Sequence, residues 1–227
     1  MNESALQFHI IARVRSDFGS KFAIPRQSGL VEELTAEIVF EKPYRDAECL
    51  RGIEDFSHLW LIWLFSANAH ERWSPTVRPP RLGGNRRMGV FATRSPYRPN
   101  PIGLSSVALL GVEHTADRGT VLRIGGADLM DGTPILDIKP YIATDIHANA
   151  AFGFTETEEK RRCQVVCEEK LLLRLPEEKR TALLGILAED PRPAYQNDPA
   201  RIYGFSFAGK EVRFRVEETL LTVTDII

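Results

Sequence analysis

Residues 76–104 read TVRPPRLGGNRRMGVFATRSPYRPNPIGL, a stretch with six arginines, five prolines and four glycines but no acidic residue. A helix is excluded here, because proline lacks a backbone donor and clashes with the preceding turn. The apolar run at Met88–Thr93 predicts a strand between two stiff loops. Arginine pairs with carboxylate or phosphate through two parallel hydrogen bonds, so this arginine-rich stretch predicts a rigid site for an anion. The alternative is a solvated cluster of surface charge, which would not need the prolines and glycines.

The positive charge of the chain is concentrated in the arginine-rich stretch. The 227 residues include 29 basic and 31 acidic side chains, for a formal net charge of −2. Without the six arginines, 23 basic residues face 31 acidic ones, a balance of −8. A uniformly basic surface is typical of nonspecific nucleic-acid binding, whereas one basic patch favours a specific anionic ligand or one docking face for RNA.

Length and composition narrow the class of protein. A chain of 227 residues, 43% of them hydrophobic, can form one large or two small domains with sizeable cores. The longest apolar run, Leu59–Phe65, is too short for a membrane span, and the first ten residues lack the pattern of a signal peptide. Cys49, Cys163 and Cys167 follow no disulfide or metal spacing, and the five histidines are scattered. We therefore expect a cytoplasmic protein with no membrane span and no metal.

Short apolar segments separated by glycine and proline turns predict a mainly β protein, with a sandwich or small barrel in the first part of the chain. One brief helix is predicted at Arg45–Gly52. The predicted strands are Leu6–Arg15, Leu34–Phe40, His58–Ala67, Met88–Thr93, Leu104–Val112, Thr120–Gly125 and Pro134–Tyr141.

The pattern changes near residues 145–162, which are polar and lack strand periodicity. After this linker, Pro176 opens a predicted helix with acidic residues in its first turn. The strands predicted around that helix are Gln164–Leu171, Ile202–Phe207, Val212–Val216 and Leu220–Thr224. We therefore expect two domains, residues 1–150 and a small α+β C-terminal unit at residues 160–227. We also expect a 1–150 fragment to keep some affinity for its ligand.

Common nucleotide and hydrolase motifs are absent from the sequence. It contains no P-loop, no GxGxxG after a strand and no GxSxG elbow. Besides the arginine-rich stretch, three segments combine polar groups with prolines or aromatics, at residues 21–30, 56–63 and 128–141. Each also has a plain interpretation as an interstrand loop, a core strand or a hairpin. A nucleotide-like ligand would have to be held by such loops.

Together these segments resemble the TsaA-like family. The resemblance rests on KFAIPRQSGL at 21–30, FSHLW at 56–60, the arginine-rich stretch, DGTPILDIKPY at 131–141 and AEDPRPAY at 188–195. It implies an N-terminal β-barrel catalytic domain followed by a small α+β domain that recognises tRNA. It also implies methylation of N6 of threonylcarbamoyladenosine at position 37, in the tRNA anticodon loop, with S-adenosyl-L-methionine as cofactor, by a homodimer.

The resemblance assigns functional roles to individual residues. Ser66 stands where the family often carries His, which puts any role of an imidazole there in doubt. The implied cofactor contacts are Pro25, Arg26, Gln27, Ser66, Ala67, Arg94, Leu104, Asp128, Leu129, Met130 and Asp131. The residues expected to contact tRNA are Arg86, Arg87, Arg98, Arg192 and Tyr195.

The chemistry adds a catalytic hypothesis. Methyl transfer aligns a donor with an acceptor, and the urea-type N6 is a weak nucleophile that needs a group to take its proton. We predict Asp131 or Asp137 for that role. Two alternatives remain open at this point: a barrel that binds S-adenosylmethionine or RNA without catalysis, and a methyltransferase with a different substrate.

Overall fold

A computed structural model describes residues 7–68, 72–79, 86–156, 162–192, 196 and 198–227 of the chain. Strands dominate this part of the chain, so the predicted mainly β architecture is confirmed. The strands of the first part are β1 (Ala12–Arg15), β2 (Thr35–Phe40), β3 (His58–Leu64), β4 (Thr76–Val77), β5 (Met88–Gly89), β6 (Ile102–Thr115), β7 (Gly119–Gly125) and β8 (Pro134–Pro140).

Six of these strands form a closed barrel in the order β1-β2-β7-β6-β3-β8. Every neighbouring pair is antiparallel. Alternate residues face inward, as in β2, where Ala36, Ile38 and Phe40 are buried and the residues between them are only partly buried. This alternation follows from the period of two residues along a strand, so the barrel interior is fixed by the apolar pattern.

The arginine-rich stretch contributes only a short strand. β5 ends at Gly89, and Val90–Ala92 form a 3-10 turn where the sequence predicted a strand through Thr93. The Arg98 guanidinium holds this turn by donating to the backbone carbonyls of Val90, Thr93 and Ser95. The Arg98 side chain thus donates to carbonyls that would otherwise accept hydrogen bonds from a strand partner.

Two further local predictions are wrong. The predicted helix at Arg45–Gly52 is replaced by short 3-10 turns, one of them at Ala47–Leu50, where the Asp46 carboxylate accepts the Glu48 amide. That bond competes with a continuous helix, since aspartate favours caps and turns. The strand predicted through Leu171 stops at Val166. The chain turns there, so that Leu171 points into the core.

The C-terminal unit is a four-stranded sheet packed against helices. Its elements are β9 (Gln164–Val166), α1 (Glu169–Leu172), α2 (Glu177–Ala188), β10 (Tyr203–Phe207), β11 (Lys210–Glu217) and β12 (Leu220–Ile226). The strand order is β10-β11-β12-β9, with β9 parallel to β12 and the other pairs antiparallel. The buried residues of α2, which pack in the same core as the sheet, are Ala182, Leu183, Ile186 and Leu187.

The core of the C-terminal unit also includes residues from the first part of the chain. Phe18, Ala23, Val31 and Leu34 belong to it, and all four lie in the β1–β2 loop, residues 16–34. The barrel has a separate core. The linker at residues 145–162 therefore does not mark a boundary between independent cores.

The described residues include no helix long and apolar enough to cross a membrane. Within the same residues, no group of three or more His, Cys, Asp or Glu side chains is arranged to hold a metal ion.

Candidate active site

A pocket of about 500 Å³ lies at the end of the barrel where β1, β3 and β7 finish and where β6 and β8 begin. Four separate segments line it: the β1–β2 loop, the end of β3, the end of the arginine-rich stretch, and the loop between β7 and β8. Antiparallel pairing brings these segments to one end, although they span more than a hundred residues of sequence.

The pocket gathers ten of the eleven residues that were predicted to contact the cofactor. The 3-10 turn at Ser66–Asn68, directly after β3, aims that segment at the pocket. The ten residues are Pro25, Arg26, Gln27, Ser66, Ala67, Arg94, Leu104, Asp128, Leu129 and Met130. Asp131 is not among the described lining residues.

Arg94 and Gln27 connect two walls of the pocket. The Arg94 guanidinium donates to the Gln27 side-chain oxygen, and the Gln27 amide donates to the Arg26 carbonyl. Arg94 is exposed and also lines the pocket. The arrangement presents a cation with parallel donors at the rim, which suits a carboxylate of a ligand.

Asp128 is a partly buried residue whose carboxylate lines the same pocket. Its Oδ1 accepts the Ser105 hydroxyl at 2.6 Å, and the Ser105 Oγ accepts the Trp63 indole N–H at 3.0 Å. Burial raises the pKa of Asp128, and the Ser105 hydrogen bond and the positive charge of Arg94 oppose that rise. The Trp63 N–H commits the Ser105 proton to the carboxylate, so this chain of bonds fixes the orientation of Asp128.

Sequence reasoning missed Ser105 and left a core strand open as the plain interpretation of residues 56–63, which include Trp63. Ser105 is 1% exposed and occupies an inward position of β6, in the run IGLSSVALL. A serine at an inward position of an apolar strand was the available signal, because a buried hydroxyl requires a partner. Trp63 lines the pocket, directly opposite Gly103 in the β3–β6 pairing. Its ring lies within 4.2 Å of the Phe65 ring, measured between centroids.

The two carboxylates predicted to be catalytic lie elsewhere. Asp131 accepts the Ser16 amide at 3.2 Å and lies 3.5 Å from the Arg15 guanidinium, beside a second, shallower groove. Asp137 lies in β8, 2.7 Å from the Lys139 ammonium group. The structure therefore does not bring either group into the main pocket.

The described residues predicted to contact tRNA belong to two parts of the chain, the arginine-rich stretch and the C-terminal unit. Arg86 and Arg87 are exposed beside β5. Arg98 holds the turn described above and lines the pocket. Arg192 is only 10% exposed and donates twice to Asp190 at 2.8 Å. Tyr195 lies outside the described residues, and a role in tRNA binding stays a prediction for each of the five.

Comparison with known proteins places this geometry in a family. Residues 13–145 match the model of the tRNA-methyltransferase O N-terminal domain, and residues 161–227 match that of the TrmO C-terminal domain. The chain is 44% identical over 226 residues to a tRNA (adenine(37)-N6)-methyltransferase of Escherichia coli K12, with 95% of each chain covered.

Two further proteins support the match. The chain is 40% identical over 153 residues to a "Probable S-adenosyl-L-methionine-binding protein" of Archaeoglobus fulgidus, with 66% of this chain and 38% of the relative covered. A crystal structure of TrmO from Pseudomonas aeruginosa superposes with a TM-score of 0.78 and 33% identity, covering 98% of this chain and 99% of the other. The chain belongs to the tRNA-methyltransferase O family.

Proposed function

We propose that this protein is an S-adenosylmethionine-dependent methyltransferase that modifies N6 of adenosine 37 in tRNA, and that the adenosine carries a threonylcarbamoyl group. The observation that carries the proposal is the convergence of four segments of the sequence on one pocket at the end of the barrel. The E. coli relative, named for the same reaction on adenosine 37, supports the tRNA substrate.

The residues of the pocket fit S-adenosylmethionine. The volume of about 500 Å³ is within the range of small-molecule pockets. Arg94 suits the carboxylate of the cofactor, and the Trp63 and Phe65 rings offer faces to a sulfonium cation. The Asp128 carboxylate adds negative charge on the same wall. When bound, the cofactor supplies an electrophilic methyl group.

We assign the proton-accepting role to Asp128, because Asp131 and Asp137 do not line the pocket. N6 of the acceptor would bond to the methyl carbon as the methyl–sulfur bond breaks and leaves its electron pair on sulfur, while the N6 proton would pass to the Asp128 carboxylate. Burial raises the pKa of Asp128, which makes the carboxylate a better proton acceptor than an exposed aspartate. Ser105 and Trp63 hold the carboxylate in place.

The threonylcarbamoyl group is favoured by the charge at the pocket rim. That group ends in a carboxylate, so a bound acceptor and cofactor together bring two carboxylates to the site. Arg26 and Arg94 are both exposed lining residues, which matches one guanidinium to each carboxylate. An unmodified adenosine would leave one of these arginines without its partner.

The deciding experiment compares two tRNA substrates that differ only at position 37, one with threonylcarbamoyladenosine and one with adenosine. Each is incubated with the protein and cofactor carrying a labelled methyl group. We expect label in the first tRNA only, located on N6 by mass spectrometry of the nucleosides. Equal labelling of both would refute the requirement for the threonylcarbamoyl group. Cofactor binding without any label would favour a non-catalytic binding protein, and label at another nucleoside would favour a different substrate.

We further propose that the chain works in the cytoplasm, where tRNA is modified, and as a homodimer. Phe91, within the arginine-rich stretch, is 80% exposed, and Trp73, three residues before that stretch, is 55% exposed. These exposed aromatic side chains suit a subunit contact. Light scattering should give twice the chain mass, and Phe91→Glu should reduce it to one chain. A native mass of one chain at micromolar concentration would exclude the dimer.

A further inference from the structure

The β1–β2 loop serves two parts of the molecule at once. Its residues 24–27 line the main pocket. On both sides of them, Phe18, Ala23 and Val31 are buried in the core of the C-terminal unit. One wall of the pocket is therefore held on both sides by contacts with the core of the C-terminal unit, outside the barrel.

Aromatic contacts form the first anchor. The Phe18 ring packs on Phe207 with a centroid distance of 5.6 Å, and Phe22 meets Phe205 edge-on at 6.4 Å. Phe18 and Phe207 are 1% and 0% exposed. These contacts fix the chain a few residues before the pocket, and aromatic pairs of this kind contribute beyond the area they bury.

Polar contacts and a close helix approach form the rest of the attachment. The Lys179 ammonium lies 2.6 Å from the Asp17 carboxylate, and both side chains are about one-fifth exposed, at 22% and 19%. The Ala208 amide donates to the Asp17 carbonyl at 3.2 Å. Val31 contacts α2 at Gly185, where an added Cβ would lie 2.7 Å from the Val31 side chain.

The backbone of the loop is strained beside the pocket. Ala23 has φ of +68°, a left-handed conformation that a residue with a Cβ rarely adopts, two positions before Pro25. The Ala23 side chain is 7% exposed in the core of the C-terminal unit. Packing there holds a conformation that the isolated segment would disfavour, as expected where structure around a site compensates local strain.

We infer that the C-terminal unit sets the affinity of the pocket for the cofactor by clamping the β1–β2 loop, with Phe207 and Lys179 as positioning residues. The inference rests on the proposed cofactor, and it gives this unit a role besides tRNA recognition. It also reverses the expectation for a 1–150 fragment, which would lose the clamp and expose Phe18 and Val31. Neither positioning residue lines the pocket.

The test measures cofactor binding by calorimetry on the full chain, with no tRNA present. We expect Phe207→Leu and Lys179→Met each to weaken binding about five- to fiftyfold, within the usual range of coupling between distant sites. The matched controls are Leu221→Ala, which opens the same core at the opposite end of the sheet, and Arg174→Met, which breaks the 2.7 Å Arg174–Asp225 ion pair. Both controls should bind like the native chain.

Hydrogen exchange supplies a second readout that a general loss of stability would not reproduce. Peptides covering residues 19–28 should exchange faster in Phe207→Leu, while barrel peptides from β6 and β7 stay unchanged. Binding by both Phe207→Leu and Lys179→Met within about twofold of native would overturn the inference, as would equal weakening in Leu221→Ala. If the native chain binds no cofactor, the proposed function fails first and this inference fails with it.

Discussion

Gly103→Ala is the substitution whose effect on folding stability can be worked out most directly from the structure. A Cβ built at Gly103 would lie 2.2 Å from the Trp63 ring, whereas ordinary contact begins at 3.4 Å. The ring would therefore have to move by about 1.2 Å, the difference between those two distances. Glycine lets the indole cross the neighbouring strand at this point, as strand glycines do where another group approaches closely.

The displacement has two energetic consequences. Overpacking a well-filled site costs about 1–3 kcal/mol. The 3.0 Å bond from Trp63 to Ser105 would stretch beyond the hydrogen-bond limit, and its loss costs about 0.5–1.5 kcal/mol. Together these give roughly 1.5–4.5 kcal/mol, or a fall in melting temperature of roughly 3–18 °C for a chain of this size. Without the Trp63 donor, the Ser105–Asp128 pair is held less firmly, which should also weaken cofactor binding.

Gly89→Ala is the matched control. Gly89 has φ of −57°, which alanine adopts freely, and no atom lies within 4 Å of its added Cβ. Its melting temperature should stay within about 2 °C of native, since surface substitutions rarely exceed 0.5 kcal/mol. Circular dichroism gives the melting curves and calorimetry the affinity. If Gly103→Ala matches the control in both measurements, the proposed packing of Trp63 on Gly103 is wrong.

Four further predictions concern charged groups. Arg94→Ala should weaken cofactor binding by about 1.5–3 kcal/mol, the range for hydrogen bonds to charged groups, and calorimetry that detects no loss would remove Arg94 from the cofactor site. For tRNA, we expect log affinity to fall against log salt concentration with a slope of about −2 to −4. Replacing Arg86 and Arg87 together should make that slope shallower by about 1.4–1.8. A slope near zero for the native chain would mean that tRNA docks away from the arginine-rich stretch. Asp128→Asn should lower the methylation rate by about 10²–10⁴-fold, as for other proton-transfer groups. Folding raises the pKa of Asp128, so the stability that this carboxyl group contributes is lost as pH rises through its folded-state pKa. The Asn variant should therefore have a higher melting temperature than the native chain at pH 8, and this difference should shrink on acidification. A difference in melting temperature that stays constant across pH would contradict the desolvation of this carboxylate.

Several elements of the fold followed from local rules. The prolines of the arginine-rich stretch excluded a helix, and alternating apolar residues indicated strands where β2, β7 and β8 lie. Local rules failed where a side chain from elsewhere in the sequence bonded to the backbone carbonyls. The strand predicted through Thr93 became a turn, because the Arg98 guanidinium donates to the backbone carbonyls of Val90 and Thr93 and so takes the place of a strand partner.

The sequence predicted only part of the candidate site. The motifs of the family pointed to ten of the pocket residues, because those residues stand in short continuous segments. They did not indicate Ser105, whose partner Asp128 lies 23 residues away. They also favoured Asp131 over Asp128, since spacing alone does not say which carboxylate of a loop turns inward.

By itself, the sequence determined the mainly β class, the local concentration of positive charge and the segments that carry the site. These depend on residue type and short-range periodicity, which act within a few positions of the chain. Only the tertiary structure decided that Asp128 faces the pocket, that Trp63 crosses Gly103, and that the β1–β2 loop is anchored in the C-terminal core. Burial, hydrogen-bond partners and shared cores depend on contacts between residues far apart in sequence, and such contacts exist only once the chain has folded.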